Sequence, residues 1–359
     1  MKEFYCSTRV ITGVSAEKAL ATLAIRRLFL VTDPFFLKNG EAHRISKGAL
    51  AQAVEIFSRV EPDPTAQLAA EATAAARDFA PDTIVALGGG SAMDLAKAVA
   101  YFYEKPTLLV AIPTTSGSGS EVTDFAILTH NKVKHPLIDQ KLCPQVAILD
   151  DSLAQGMPRS LAADTGFDAL AHAAESFVAK GADAFSRALA KDAFRVVYGS
   201  LAASCGGDAK SRSKIHDASC MAGLAFSKSG LGLCHALSHA LGGQFHVPHG
   251  RLNAVLLPHV IRLNAHGAQK EYACLARASG IMGAAETVAV RNLVSGLEQL
   301  ARQLGLPKDL RTAGIDPAEL KFYKGSLVEA ALGDPCCEGN PVKVEAFMVE
   351  RILEAASRG

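Results

Sequence analysis

The sequence predicts an α/β N-terminal domain built on a parallel sheet, followed by an all-α C-terminal domain. Three observations lead there. Uninterrupted apolar runs alternate with Ala-rich stretches as far as Asp150, strand-like runs nearly vanish after Pro158, and two of the runs end in loops of glycine and hydroxyl residues. Such alternation is the pattern of a sheet covered by crossover helices, whereas long helical periods without strands build a helical layer of their own.

Arg27-Leu28-Phe29-Leu30-Val31-Thr32-Asp33 is a short apolar run closed by a turn signal. Thr83-Ile84-Val85-Ala86-Leu87 runs into three glycines, Leu108-Leu109-Val110-Ala111-Ile112 into Pro113, and Gln145-Val146-Ala147-Ile148-Leu149 into Asp150-Asp151. Runs without polar alternation suit strands buried on both faces. Beyond Pro158, helical periods over Ala162 to Ala179, Ala182 to Val197 and Arg291 to Gly305 dominate. The boundary falls near residue 157, so the expected domains are 1–157 and 158–359.

Bulk properties narrow the function classes. The 359 residues are 49% hydrophobic and 20% charged, as in ordinary globular chains, and the formal net charge of +1 offers nothing to a nucleic acid or an anionic membrane. The start, Met1-Lys2-Glu3-Phe4-Tyr5-Cys6, has no apolar signal region and reads straight into a strand-like segment. The eight cysteines form no C-x-x-C pair and are expected as reduced thiols. A cytoplasmic enzyme is the expected class, acting on a small molecule.

Gly88-Gly89-Gly90-Ser91 follows a strand and opens the helical segment Ala92 to Tyr103. Glycines let backbone approach a phosphate, and a helix N-terminus offers unpaired N–H groups. The spacing is not G-x-G-x-x-G, so a tight strand-to-helix turn explains these glycines equally well. A second loop, Pro113-Thr114-Thr115-Ser116-Gly117-Ser118-Gly119-Ser120-Glu121, again ends a strand and favours a dinucleotide site. Asp33 closes an earlier strand, where a carboxylate accepts from a ribose hydroxyl and repels the 2′-phosphate of NADP. It is equally a good turn residue.

Asp168 and His172 are four apart in a helical stretch and so emerge on one face. His235 and His239 repeat that spacing, and His246 and His249 follow after Gly242-Gly243, where the helix is expected to fray. Four of the eleven histidines thus fall within fifteen residues. One carboxylate with several imidazoles suits Fe²⁺ or Zn²⁺. Spacing alone leaves open whether His239 or His246 belongs to the set.

Taken together, Gly88-Gly89-Gly90-Ser91-Ala92-Met93-Asp94-Leu95-Ala96-Lys97, Pro113 to Thr123, Gly166 to Glu175, Gly230 to Gly250 and Asp334 to Pro341 resemble the iron-containing (group III) alcohol dehydrogenase family. Within it the chain is most similar to the propanol dehydrogenases of propanediol-utilisation microcompartments, with Gly242 to Gly250 carrying much of that match. The resemblance implies a dehydroquinate synthase-like fold, with an N-terminal dinucleotide-binding domain and a C-terminal metal-binding domain. It implies Asp168, His172, His235 and His249 as metal ligands and His239 as a residue near the nicotinamide. Cofactor contacts map to Asp33, Gly89, Gly90, Ser91, Thr114, Thr115, Ser118 and Lys134. Asp63 stands where relatives often have Asn beside the adenosine.

The expected reaction is reversible hydride transfer between a short-chain primary alcohol (propanol or ethanol) and NAD(H), with Fe²⁺ or Zn²⁺ polarising the oxygen. His239 is expected to relay a proton or position the nicotinamide. The alternatives are a glycerol- or diol-type polyol dehydrogenase and an NAD- and metal-dependent lyase of the same fold. A lyase acting on a phosphorylated acid needs a basic pocket, and no Lys or Arg interleaves with the histidine cluster. The expected assembly is a homodimer with no nucleic acid or membrane partner. The resemblance adds microcompartment enzymes or shell as partners and the microcompartment lumen as a location. No separate targeting helix is read at either end, so a partner would carry the chain in.

Overall fold

The computed structural model describes residues 4–131 and 133–358, so Met1, Lys2 and Glu3 of the N-terminal strand-like reading lie outside the described residues. The chain divides into two compact units, Tyr5–Met157 and Pro158–Gly359, and of the described residues before Tyr5 the second unit takes Phe4. The Phe4 ring stacks on Phe185 at 5.6 Å.

The first unit holds strands β1 (Arg9–Thr12), β2 (Arg27–Thr32), β3 (Ala53–Phe57), β4 (Thr83–Gly88), β5 (Leu108–Pro113), β6 (Phe125–His130), β7 (Val133–Ile138) and β8 (Val146–Leu149). Its helices are α1 (Ala16–Leu20), α2 (Pro34–Lys38), α3 (Glu41–Gly48), α4 (Ala66–Phe79), α5 (Gly90–Tyr103) and α6 (Asp151–Ala154). Six strands form one parallel sheet in the order β1-β8-β5-β4-β2-β3, and β6 and β7 make an antiparallel hairpin. Alternate residues of the central strands enter different cores. Phe29, Val31, Ile84, Ala86, Leu109 and Ala111 pack with α4 and α5, whereas Leu28, Leu30, Val85, Leu87, Val110 and Ile112 pack with α1 and α3. Every residue of β4 is buried. Each fully buried Ile, Val or Leu there contributes about 1.5–3 kcal/mol.

Chain order in the sheet reverses beside β2. The chain moves outward from β2 to β3, then returns to β4 on the other flank of β2 and continues outward to β5. The carboxyl ends of β2 and β4 therefore border the crevice where open sheets of this type take ligands. Asp33 and Gly88 stand at that point.

The second unit contains α7 (Arg159–Val178), α8 (Ala184–Cys205), α9 (Ala209–Ser229), α10 (Leu233–Phe245), α11 (His249–Ala278), α12 (Glu286–Leu304), α13 (Pro317–Gly333), α14 (Pro335–Glu338) and α15 (Ala346–Arg358). Among its described residues there is no strand. Helix α7 is buried nearly all round and packs on α8, α9 and α11, its Ala and Gly positions admitting close neighbours. Helix α8 starts in a capping box between Asp183 and Ser186. The fraying expected at Gly242-Gly243 does not occur. Helix α10 runs on to Phe245 and is closed by His246 in the left-handed region at φ 56°. Contacts of its buried face, including Leu241 and Leu237, outweigh the roughly 1 kcal/mol helix cost of each glycine.

Candidate metal and nucleotide sites

The first cluster grows from α7. Asp168 and His172 share a face of that helix, and α10 brings His235 against them, so one donor atom of each lies within 4.8 Å of the others. The His172 ring stacks on His235 with centroids 4.4 Å apart. His249, the first residue of α11, approaches from the other side, with its Nδ1 2.8 Å from Asp168 Oδ1 and its ring 5.1 Å from that of His235. Three of the four sequence-predicted ligand residues thus lie within mutual reach, and His249 joins them through its contact with Asp168. His246 is exposed and serves as the cap of α10, outside the cluster.

The electrostatics of the cluster are those of a cation holder. Burial raises the Asp168 pKa, but the neighbouring His172 and His249 and hydrogen bonds from His235 and His249 outweigh it and hold the carboxyl well below its usual range. Burial pulls His235 down, yet Asp168 and Glu175 outweigh it and hold this imidazole at about 9. Burial wins at His249, whose pKa falls. His249 Nε2 is buried without a hydrogen-bond partner. Leaving such an atom unsatisfied costs about 1–3 kcal/mol. A divalent cation is a partner that such an imidazole lone pair fits, and a donor set of one carboxylate and three imidazoles accepts Fe²⁺ or Zn²⁺.

Two further side chains orient this set. Glu175, on α7 seven residues after Asp168, is 2% exposed and accepts from the backbone N–H of Gly232, Cys234 and His235. It also contacts His235 Nδ1 at 2.6 Å. One carboxylate therefore caps α10 and fixes the ring of its histidine, leaving His235 Nε2 toward Asp168 at 3.8 Å. Gly232 makes room for it, because a Cβ there would meet Glu175 Oε1 at 2.8 Å. Asn253 on α11 accepts from Ser238 Oγ at 2.6 Å and donates to Asp168 Oδ1 at 2.7 Å. His239, one turn beyond His235, places Nδ1 2.8 Å from Asp334 Oδ2, with its ring 5.1 Å from that of His249.

The second cluster lies in the α/β unit. Gly88 has φ 153°, and a Cβ there would sit 2.6 Å from that of Ala92, so only glycine fits this turn. The N-terminus of α5 has no side-chain cap at Gly89. A Cβ on Gly89 would lie 3.2 Å from Thr115 Oγ1, and one on Gly90 would lie 3.6 Å from Ser118. Thr114 N–H donates to Gly88 C=O at 3.0 Å, so the two loops form one surface that includes Ser91 in the first turn of α5. Asp33 Oδ1 caps α2 by accepting from Phe35 and Phe36 N–H, while Oδ2 is directed toward Gly88. Turn residue and ribose acceptor are thus compatible roles for the two oxygens. Lys134 Nζ pairs with Asp63 Oδ1 at 2.6 Å, which ties the hairpin to the segment before α4.

Comparison with known proteins decides the family. Residues 7–151 match the family described as iron-containing alcohol dehydrogenase, and residues 162–357 match the C-terminal part of the Fe-containing alcohol dehydrogenase family. The 1-propanol dehydrogenase PduQ of Citrobacter freundii is 37% identical over 367 residues, covering 99% of each chain. The chain belongs to the iron-containing alcohol dehydrogenase family.

Other members of the family agree. An NADPH-dependent butanol dehydrogenase of Clostridium saccharobutylicum is 36% identical, with 85% of this chain and 84% of that one covered. The iron-containing alcohol dehydrogenase of Thermococcus thioreducens superposes with TM-score 0.92 at 32% identity, covering 99% of this chain and 100% of its own. The resemblance and the fold class read from the sequence are both borne out, and this iron-containing alcohol dehydrogenase is an oxidoreductase. Sequence reading missed Glu175, Asn253 and Asp334 as orienting residues. For Glu175 a signal existed, since a carboxylate three residues past His172 continues the helical face of Asp168. Asn253 and Asp334 become visible only once α11 and α14 are folded against α10.

Proposed function

We propose that this iron-containing alcohol dehydrogenase interconverts a short-chain primary alcohol and its aldehyde, propanol with propanal or ethanol with acetaldehyde, using NAD(H). The observation that carries the proposal is the buried, unpartnered Nε2 of His249, whose Nδ1 contacts the depressed Asp168 carboxyl. Asp168, His172, His235 and His249 are assigned to hold one divalent ion, Fe²⁺ by family membership, with Zn²⁺ acceptable to the same donors. Bound there, the ion supplies Lewis acidity to the substrate oxygen. NAD(H), held by the loops after β2, β4 and β5 with Lys134, supplies hydride exchange at the nicotinamide C4.

The protein's own groups do the rest. With a divalent ion bound and the three imidazoles neutral as its ligands, one carboxylate would leave the site a net charge near +1, which favours negative charge developing on the substrate oxygen. His239 is assigned to accept the hydroxyl proton during oxidation and return it during reduction. Asp33 presents a carboxylate where NADP would bring a 2′-phosphate, which supports NAD. The NADPH dependence of the butanol dehydrogenase relative makes the alternative concrete. Initial rates of propanal reduction with NADH and NADPH decide between them, and a preference for NADPH overturns the assignment.

His249→Ala should abolish both bound metal and turnover while NADH still binds. Full activity after chelation would sink the scheme. His239→Ala should keep its metal and turn over slowly, whereas loss of metal would make His239 a ligand. A homodimer, in the cytoplasm or within a microcompartment, is proposed as the sequence reading has it; light scattering and shell fractionation test these two points. Among the described residues no helix is long and apolar enough to cross a membrane.

A further inference from the structure

The geometry points to Asp334 as the positioning residue for His239: it fixes which imidazole nitrogen carries the proton and which way the ring faces. This rests on the role proposed above for His239. Asp334 ends α13 and caps α14, and its two carboxylate oxygens have separate tasks. Oδ1 accepts from Cys336 N–H at 2.8 Å, the first N–H that the cap can reach because Pro335 has none. Oδ2 lies 2.8 Å from His239 Nδ1. The backbone bond holds the carboxylate, and the carboxylate in turn holds the ring.

A carboxylate only accepts, so Nδ1 is the protonated nitrogen and the lone pair of the neutral ring sits on Nε2. His239 needs this restraint. Its side chain is 36% exposed, against 1% for His235, so packing alone does not fix it. The two histidines of α10 are therefore set by two different carboxylates. Glu175 grips His235 from α7, and Asp334 grips His239 from the start of α14. In alcohol oxidation the hydroxyl proton passes to His239 Nε2 and then to water, while the C–H hydride goes to the nicotinamide. The Nδ1 proton stays in its bond to Asp334 throughout.

Cys336 brings a third donor within 4.8 Å of His239 and Asp334, which raises the question of a second ion. The polar atoms argue against it. Nδ1 and Oδ2 already satisfy each other, and Oδ1 is taken by the Cys336 backbone.

The test uses the zinc-loaded full-length enzyme with ¹⁵N-labelled histidine. Asp334→Asn keeps a good helix cap but lets the amide donate, and Asp334→Ala removes the contact. Both should keep one metal per chain and a KM within about twofold, while kcat falls about 10–100-fold, at or below the roughly 10²–10⁴-fold that a positioned general acid–base contributes. The ¹⁵N shifts of His239 should show the Nδ1–H tautomer in the wild type and lose it in both variants. In a cycle with His239→Ala, the double variant should be no slower than His239→Ala alone. Additive losses, an unchanged tautomer, or a second equivalent of zinc lost in Cys336→Ser would each overturn the assignment. Full turnover by His239→Ala would instead remove the proton role of His239, and the tautomer measurement would still decide the positioning by Asp334.

Discussion

Glu175 shows what a single side chain does here. It satisfies three backbone N–H groups at the start of α10 and orients the ring of His235. Glu175→Ala leaves those groups buried without a partner, so a loss of about 3–5 kcal/mol in stability is expected from urea unfolding. Glu175→Gln keeps the bulk and one acceptor, and its ion should be stripped by a chelator at about 10–100-fold lower concentration than in the wild type. Retention of wild-type chelator resistance by both variants would refute the orienting role. At this scale the sequence was partly legible. Asp168 and His172 declare themselves by their spacing, but three-residue reversal at His246 to Pro248 decides that His249 and not His246 faces Asp168, and spacing carries no trace of that turn.

Among elements, α5 carries two charges beside the loop after β5, Lys97 buried and Asp94 partly buried. Lys97 is 1% exposed and donates to Ser120 Oγ, Thr123 Oγ1 and Phe125 C=O, which fastens the loop after β5 to the helix. Burial lowers its pKa to about 8, and burial raises that of Asp94 on the same helix to about 6. For Asp94 the folded value lies above the ordinary 3.8, so its contribution to stability is lost as pH rises through about 6. Between pH 4.5 and 6.5 the urea midpoint of the wild type should fall by about 1–2 kcal/mol equivalent relative to Asp94→Asn. Parallel pH curves for the two proteins would contradict the buried-acid account. The helices and central strands were readable because both faces of β2, β4, β5 and β8 are apolar. Strand β3 escaped notice because it is an edge strand, where Glu55 is tolerated among partly exposed neighbours.

For the whole molecule, two compact units mean two separate sources of stabilisation. Each ligand that binds only the folded form adds about 2.7 kcal/mol when present at a hundredfold excess over its Kd. In scanning calorimetry, chelation should lower the transition of the helical unit, and NADH should raise that of the α/β unit. If either ligand moved a single transition by the same amount in every trace, the units would be unfolding as one.

The central strand makes part of that test readable without any label. The amide protons of β4 are locked between β2 and β5 and screened from water by two cores. They can exchange with deuterium only when the α/β unit opens completely. Their exchange rates are thus a built-in gauge of that unit, and each increment of NADH should appear in them as a proportionate slowing.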